Sequence, residues 1–143
     1  MSIRTAIAAA MLALIGTPLA ASACDALRPE NFSNFFDHFS NDKNFAFSRI
    51  IYPSTRVRLE YSIENGKQQI TEQRRRVTRQ GDAASSALGD YIKANQLEFT
   101  VDDSTKGKAV VDVFKPDRDW ILSYHFMSKN GCWFLREIQY HAL

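Results

Sequence analysis

The chain has 143 residues, 45% of them hydrophobic and 24% charged, with a formal net charge of +2. These proportions belong to a globular protein of one domain and exclude a disordered chain, a fibre and a repeat array. The near balance of 18 basic against 16 acidic residues argues against a nucleic-acid binder, which would carry a basic surplus.

Residues 1–23 read as a secretory signal. Arg4 gives a positive start, Ala6 to Ile15 is an apolar run too short for a membrane span, Pro18 breaks it, and Ala21-Ser22-Ala23 supplies small residues for cleavage. The remaining chain, 24–143, is expected to be a single domain in the periplasm or outside the cell. Cys24 follows the cleavage point directly, which leaves two alternatives open. It can form a disulfide with Cys132, the other cysteine of the chain, as an oxidising compartment allows. It can instead be acylated as a lipoprotein anchor, and then the protein sits on a membrane.

Phe32, Phe35, Phe36 and Phe39 recur at i, i+3, i+4 and i+7, which predicts an amphipathic helix with one apolar stripe. Pro29 suits its first turn and Glu30 its positive end, and Asn41-Asp42 marks its exit. A short element from Asn44 to Tyr52, helix or strand, is stopped by Pro53. From Val57 the period changes to two. Val57, Leu59, Tyr61 and Ile63 face one way and Arg56, Arg58, Glu60, Ser62 and Glu64 the other, a half-buried strand. Asn65-Gly66 is a strong hairpin signal. The returning strand, Gln68 to Gln80, is polar on both faces and reads as a long edge strand kept charged against aggregation.

Gly81-Asp82 opens a helix running to Asn95, with Ala84, Leu88, Tyr91 and Ile92 as its buried face. Strands follow around Leu97 to Val101, over Ala109–Phe114, over Trp120–Met127 and, after the Asn130-Gly131 turn, over Cys132–Tyr140. The order is helix, short element, hairpin, helix, then a four-stranded meander. That predicts an α+β fold with a single curved antiparallel sheet packed by the N-terminal and middle helices.

This order is similar to that of the nuclear-transport-factor-2-like, or cystatin-like, roll. More narrowly, Asn31-Phe32-Ser33-Asn34-Phe35-Phe36-Asp37-His38-Phe39-Ser40-Asn41-Asp42 with Phe45-Ala46-Phe47-Ser48-Arg49-Ile50-Ile51-Tyr52-Pro53 resembles the opening of a family of small, uncharacterised exported bacterial proteins with that roll. The resemblance implies a fold and an exported location and carries over no catalytic residues. Such rolls often enclose a conical cavity between sheet and helices, and homodimers are common among them.

Several chemistries have no support in the sequence. The glycines are scattered and build no phosphate loop or dinucleotide fingerprint. No serine sits in a Gly-x-Ser-x-Gly elbow. His38, His125 and His141 lack metal-ligand spacing, and two cysteines do not make a zinc site. No cofactor and no metal are expected.

Two groups of residues are candidates for function. Asp112, between Val111 and Val113, shares a strand face with Val110 and Phe114, and His125 on the next strand shares one with Ile121 and Met127. In an apolar cavity they would form an acid/base pair, with Tyr61, Tyr124 and Tyr140 supplying hydrogen bonds to a ligand. The bland alternative is a solvated Asp112 and a His125 bonded to core backbone. The second group is Arg74, Arg75, Arg76 and Arg79, a basic run for an acidic partner surface or anionic lipid heads. On a strand Arg74 and Arg76 point to one face and Arg75 and Arg79 to the other, which makes a poor phosphate track.

By subtraction the expected function is a non-enzymatic binding or accessory protein of the cell envelope with another envelope protein as its partner. A sharper version is an immunity or inhibitor protein against a toxin or hydrolase. The alternative is a binder of a small apolar ligand, or an isomerase or hydrolase, using a cavity that holds Asp112 and His125.

Overall fold

The computed structural model describes residues 24–82, 87–118 and 120–142; the export signal expected over 1–23, and Ala84 of the expected helix face, lie outside them. The elements run α1 (Phe32–Asn41), α2 (Lys43–Ser48), β1 (Ile50–Glu64), β2 (Lys67–Val77), the single turn α3 (Arg79–Asp82), α4 (Leu88–Ala94), β3 (Glu98–Asp102), β4 (Lys108–Phe114), β5 (Trp120–Lys129) and β6 (Cys132–Ala142).

Helix α1 begins where Asn31 accepts a hydrogen bond from the Asn34 N–H at 3.1 Å, an N-cap that satisfies one of the free first-turn donors. Its four phenylalanines are all buried. They converge on one ring of the sheet, Phe126, whose centroid lies 5.2–6.0 Å from those of Phe32, Phe35, Phe36 and Phe39. Edge-on contacts of this kind add to the burial term. Asp42 ends α1 and caps α2, accepting from the backbone of Asn44 and Phe45 at 2.9 and 3.0 Å. These hydrogen bonds favour the ionised carboxylate, the one to Phe45 most, and hold its pKa below the usual value.

The six strands form one sheet in the order β2-β1-β6-β5-β4-β3. It is mixed rather than antiparallel throughout: β1 lies parallel to β6, with Thr55 to Glu60 beside Glu137 to Ala142. The chain leaves the β1–β2 hairpin at one edge of the sheet and re-enters at the other edge through β3. The meander of β3, β4, β5 and β6 then fills the sheet back toward β1 and arrives running in the same direction. Strand β1 also starts earlier than the sequence suggested. Pro53 lies inside it, where the β1–β6 register shifts between Ile50 and Thr55, a place where a missing N–H is tolerated. Both Asn-Gly turns have two positive-φ residues, Asn65 and Gly66 at 51° and 74° and Asn130 and Gly131 at 52° and 79°, as a two-residue hairpin requires.

The helices cover the sheet face that carries Ala109, Val111 and Val113 of β4, Phe126 of β5 and Trp133 and Leu135 of β6, all buried. The N-terminal segment is strapped across the β5–β6 turn. Cys24 and Cys132 are joined by a disulfide with their Cα atoms 5.2 Å apart. Glu30 donates its N–H to Gly131 O at 2.8 Å and accepts the Trp133 indole N–H on its carbonyl at 2.9 Å. Its carboxylate, rather than capping α1, takes a two-pronged contact from Arg49 at 2.9 and 3.2 Å.

Candidate functional site

Strand register assembles a groove on the helix side of the sheet, at the end that the helices leave open. Two transverse rows cross four strands. One runs Leu122, Tyr140, Arg58, Gln73, and the other Tyr124, Ile138, Arg56, Arg75. Each row passes from apolar or aromatic groups on β5 and β6 to polar and cationic groups on the β1–β2 arm. The Arg58 guanidinium stands 5.6 Å over the Tyr140 ring, a cation–π distance. Arg58 also pairs with Glu60 at 2.7 Å. Arg56 donates to the hydroxyl of Ser54, a residue with no exposed surface.

Two cavities lie side by side along this groove. The inner one, of about 280 Å³, lies under α1, α2 and α4 and is lined by Phe39, Ala46, Phe47, Ile50, Leu88, Tyr91, Leu122, Tyr124 and Ile138, with Lys43 and Arg56 on its wall. The outer one, of about 610 Å³, lies on the β1–β2 arm among Arg56, Arg58, Gln73, Arg75, Leu122, Ile138 and Tyr140. Arg56, Leu122 and Ile138 belong to both. Burial raises the pKa of the Tyr91 hydroxyl, with nearby Tyr140 adding to it, so Tyr91 stays a neutral donor at the inner end. A further cavity of about 540 Å³ opens between α1, α4 and β3, where Phe36, Phe99 and Val101 are mixed with Asp37, Lys93 and Asp103.

The opposite sheet face carries a directed chain of polar groups. Tyr61 Oη lies 3.0 Å from His141 Nδ1, His141 Nε2 lies 3.1 Å from Ser123 Oγ, and Ser123 Oγ donates to Asp112 Oδ1. Ser123 has one proton to give, and it goes to Asp112; the Ser123 oxygen then accepts from the His141 Nε2–H, and Tyr61 bonds the other ring nitrogen. The chain ties β1, β6, β5 and β4 together. Ser123 is therefore held at both ends, its proton on a carboxylate and its lone pair on an imidazole N–H, which is not the arrangement of an activated nucleophile.

The candidate residues are thus divided between two faces. Tyr124 and Tyr140 line the groove; Tyr61, Asp112 and His125 lie on the open face. Val111 and Val113 have no exposed surface beneath the helices, so strand alternation turns Asp112 away from the helix-side cavities. Asp112 faces Ser123 across the strand pair, while His125 faces Val110. No hydrogen bond joins Asp112 to His125 among the described residues, and His125 Nε2 is buried without a partner there.

The basic run divides too. Arg74 lies on the open face, donating to Glu72 and, at 3.1 Å, to Glu137; the hydrogen bond it gives to Glu72, more than any other contact, raises its pKa further. Arg76 shares that face, opposite Thr55. Arg75 points to the groove side. Arg79 has left the strand and begins α3. The two faces of β1 separate as the alternation predicts. Val57 is buried, yet Arg56 and Arg58 are the residues on the helix side, because the helices stop short of the β1–β2 arm. Among the described residues no group of three or more His, Cys, Asp or Glu side chains could hold a metal ion.

No protein-family model matches the sequence, and no curated protein does. The fold is similar to that of a solved NTF2-like (nuclear-transport-factor-2-like) protein from Bacteroides fragilis, with a TM-score of 0.54 and 20% sequence identity over 80% of this chain and 48% of that one. The fold is NTF2-like. This chain spans about half the length of that protein, and at this identity the likeness is one of architecture alone.

Proposed function

We propose that the chain is an exported, non-enzymatic binding protein that holds a small ligand in the groove between the sheet and α1, α2 and α4. The observation that carries this is that two neighbouring cavities share Arg56, Leu122 and Ile138 in their walls. A concave, largely apolar site with a few convergent polar groups is the usual form of a small-molecule site. The fixed proton direction at Ser123 supports binding over hydrolysis. Export is supported by the sequence of residues 1–23. Native mass spectrometry of protein purified gently from its host envelope tests the proposal. It predicts a retained small molecule, or an empty chain that takes up one equivalent of the neutral apolar dye N-phenyl-1-naphthylamine. An empty chain that binds no dye overturns it.

A second reading, docking of another envelope protein such as the target of an inhibitor, is favoured by β2. This edge strand is exposed over almost its whole length, and the hairpin carries the exposed Ile63 and Ile70. Unpaired strand edges recruit partner strands. A stoichiometric second protein in the same spectra, lost on Ile70→Lys, supports this reading; a complex unaffected by that change removes it.

A further inference from the structure

We infer that β2 receives an extended acidic segment of a partner protein as an added strand, whose carboxylates meet Arg75 on one face of the sheet and Arg76 on the other. The inference rests on β2 being a docking edge.

Strand β2 is the terminal strand of the sheet. It pairs with β1 residue for residue from Lys67 to Val77, with no bulge. It contains no proline, and none of its backbone groups bonds outside the sheet among the described residues. Its free N–H and C=O groups therefore stand in one regular row, the template that an added strand needs. Charge decides which segment fits. Past Lys67 at the turn the strand is uncharged until Glu72, and its other cations crowd into Arg74-Arg75-Arg76. Guarding an edge against self-pairing needs only charge somewhere along it, not cations gathered at one end. Arg74 is engaged by Glu72 and Glu137, whereas Arg75 and Arg76 form no ion pair among the described residues. Consecutive strand residues point to opposite faces, so these two straddle the edge. Arginines of both faces line one cavity of about 260 Å³ with Thr55. A phosphate track or a flat lipid surface meets one face only. An extended peptide alternates its own side chains and meets both. The opposite edge of the sheet, β3, carries Glu98 and Asp102 and repels such a segment.

Titration of the full chain with the peptide Val-Thr-Glu-Glu-Glu-Thr-Val, followed by backbone amide NMR, tests this. The comparison peptides have Gln or Lys in place of Glu, or are N-methylated at two successive glutamates, which blocks both edges of the peptide. The Glu peptide is expected to shift the amides of β2 and not those of β3. It should bind at least about tenfold more tightly than the Lys peptide, weaken with salt and lose its binding on N-methylation. Arg75→Gln and Arg76→Gln, both at exposed positions, should each weaken it about two- to fivefold, the range of an exposed ion pair, and leave the Gln peptide unchanged. Equal binding of the Glu and Gln peptides overturns the inference and leaves β2 as a docking edge. Failure of every peptide to bind removes that reading as well. An N-methylated peptide that binds like its parent, or a loss confined to one of the two arginines, overturns strand addition. Binding of phosphatidylglycerol vesicles in place of the peptides assigns the run to a membrane and overturns the inference. Self-association of the free chain that Glu98→Gln abolishes gives the edge to β3 of a second copy and overturns it too.

Discussion

Removing the Ser123 hydroxyl takes the middle link from the Tyr61–His141–Ser123–Asp112 chain. Ser123 is buried, at 6% exposure, so water does not easily replace it. Ser123→Ala deprives Asp112 of a donor and His141 of an acceptor, and a lost hydrogen bond to a charged group costs about 1.5–3 kcal/mol. Asp112 is only half-buried and regains some hydration, which puts the expected loss near 2 kcal/mol. Tyr61→Phe removes the outer link from a residue that water can reach, and about 1 kcal/mol or less is expected. The two changes share His141, so the double variant should depart from additivity by about 0.5–1 kcal/mol. Urea unfolding of the disulfide-intact protein measures all three, and a constant slope shows that stability alone has changed. A Ser123→Ala variant within 0.5 kcal/mol of the parent, or one less damaged than Tyr61→Phe, would refute the assignment. Dye binding in the groove should survive Ser123→Ala, because the chain lies on the other face.

Three further outcomes are expected. Phe126→Ala, which removes the ring shared by all four phenylalanines of α1, should cost about 3–5 kcal/mol in the same unfolding assay. The two Asn-Gly turns should respond differently to Gly→Ala despite equal backbone geometry. At Gly66 a Cβ meets nothing within 4 Å, and only the conformational penalty of roughly 1–2 kcal/mol applies; at Gly131 it would lie 2.0 Å from Asp25 O, so the larger loss should come with displacement of the N-terminal strap, read as faster reduction of the Cys24–Cys132 bond. Asp42, whose folded pKa is lowered, stabilises the fold above its unfolded pKa of about 4 and loses that contribution as pH falls through the folded value; Asp42→Asn keeps an acceptor at the cap but does not titrate, so its urea midpoint should fall less steeply below about pH 4, and parallel acid profiles would contradict this.

Much of the fold was legible because its signals are local. The 3.6-residue spacing of Phe32, Phe35, Phe36 and Phe39, the two Asn-Gly turns and the alternation of Val57, Leu59, Tyr61 and Ile63 need only neighbours in sequence. The parallel β1–β6 pairing was not legible, since no local signal says which edge of the sheet receives β3. Glu30 looked like a helix-end charge, and its partners Arg49 and Trp133 are 19 and 103 residues away. In β1, alternation correctly separated Val57 from Arg56 and Arg58. Which face would meet the helices depended on how far the helices reach, and the short α2 and α4 leave the arginines over open space. Asp112 and Tyr61 stood out as titratable groups in strands. Ser123 carried no signal, because a serine between apolar residues is ordinary until register sets it beside Asp112 and His141.

The central claim is that ligand binding belongs to the helix side of the sheet and not to the face carrying Asp112, Ser123 and His141. Backbone amide NMR spectra during titration with N-phenyl-1-naphthylamine test it most directly. Shifts confined to Arg56, Arg58, Arg75, Leu122, Ile138 and Tyr140, with those of the inner cavity following, are the predicted result. Shifts centred on Asp112, Ser123 and His125, with the arginine rows unmoved, would contradict it.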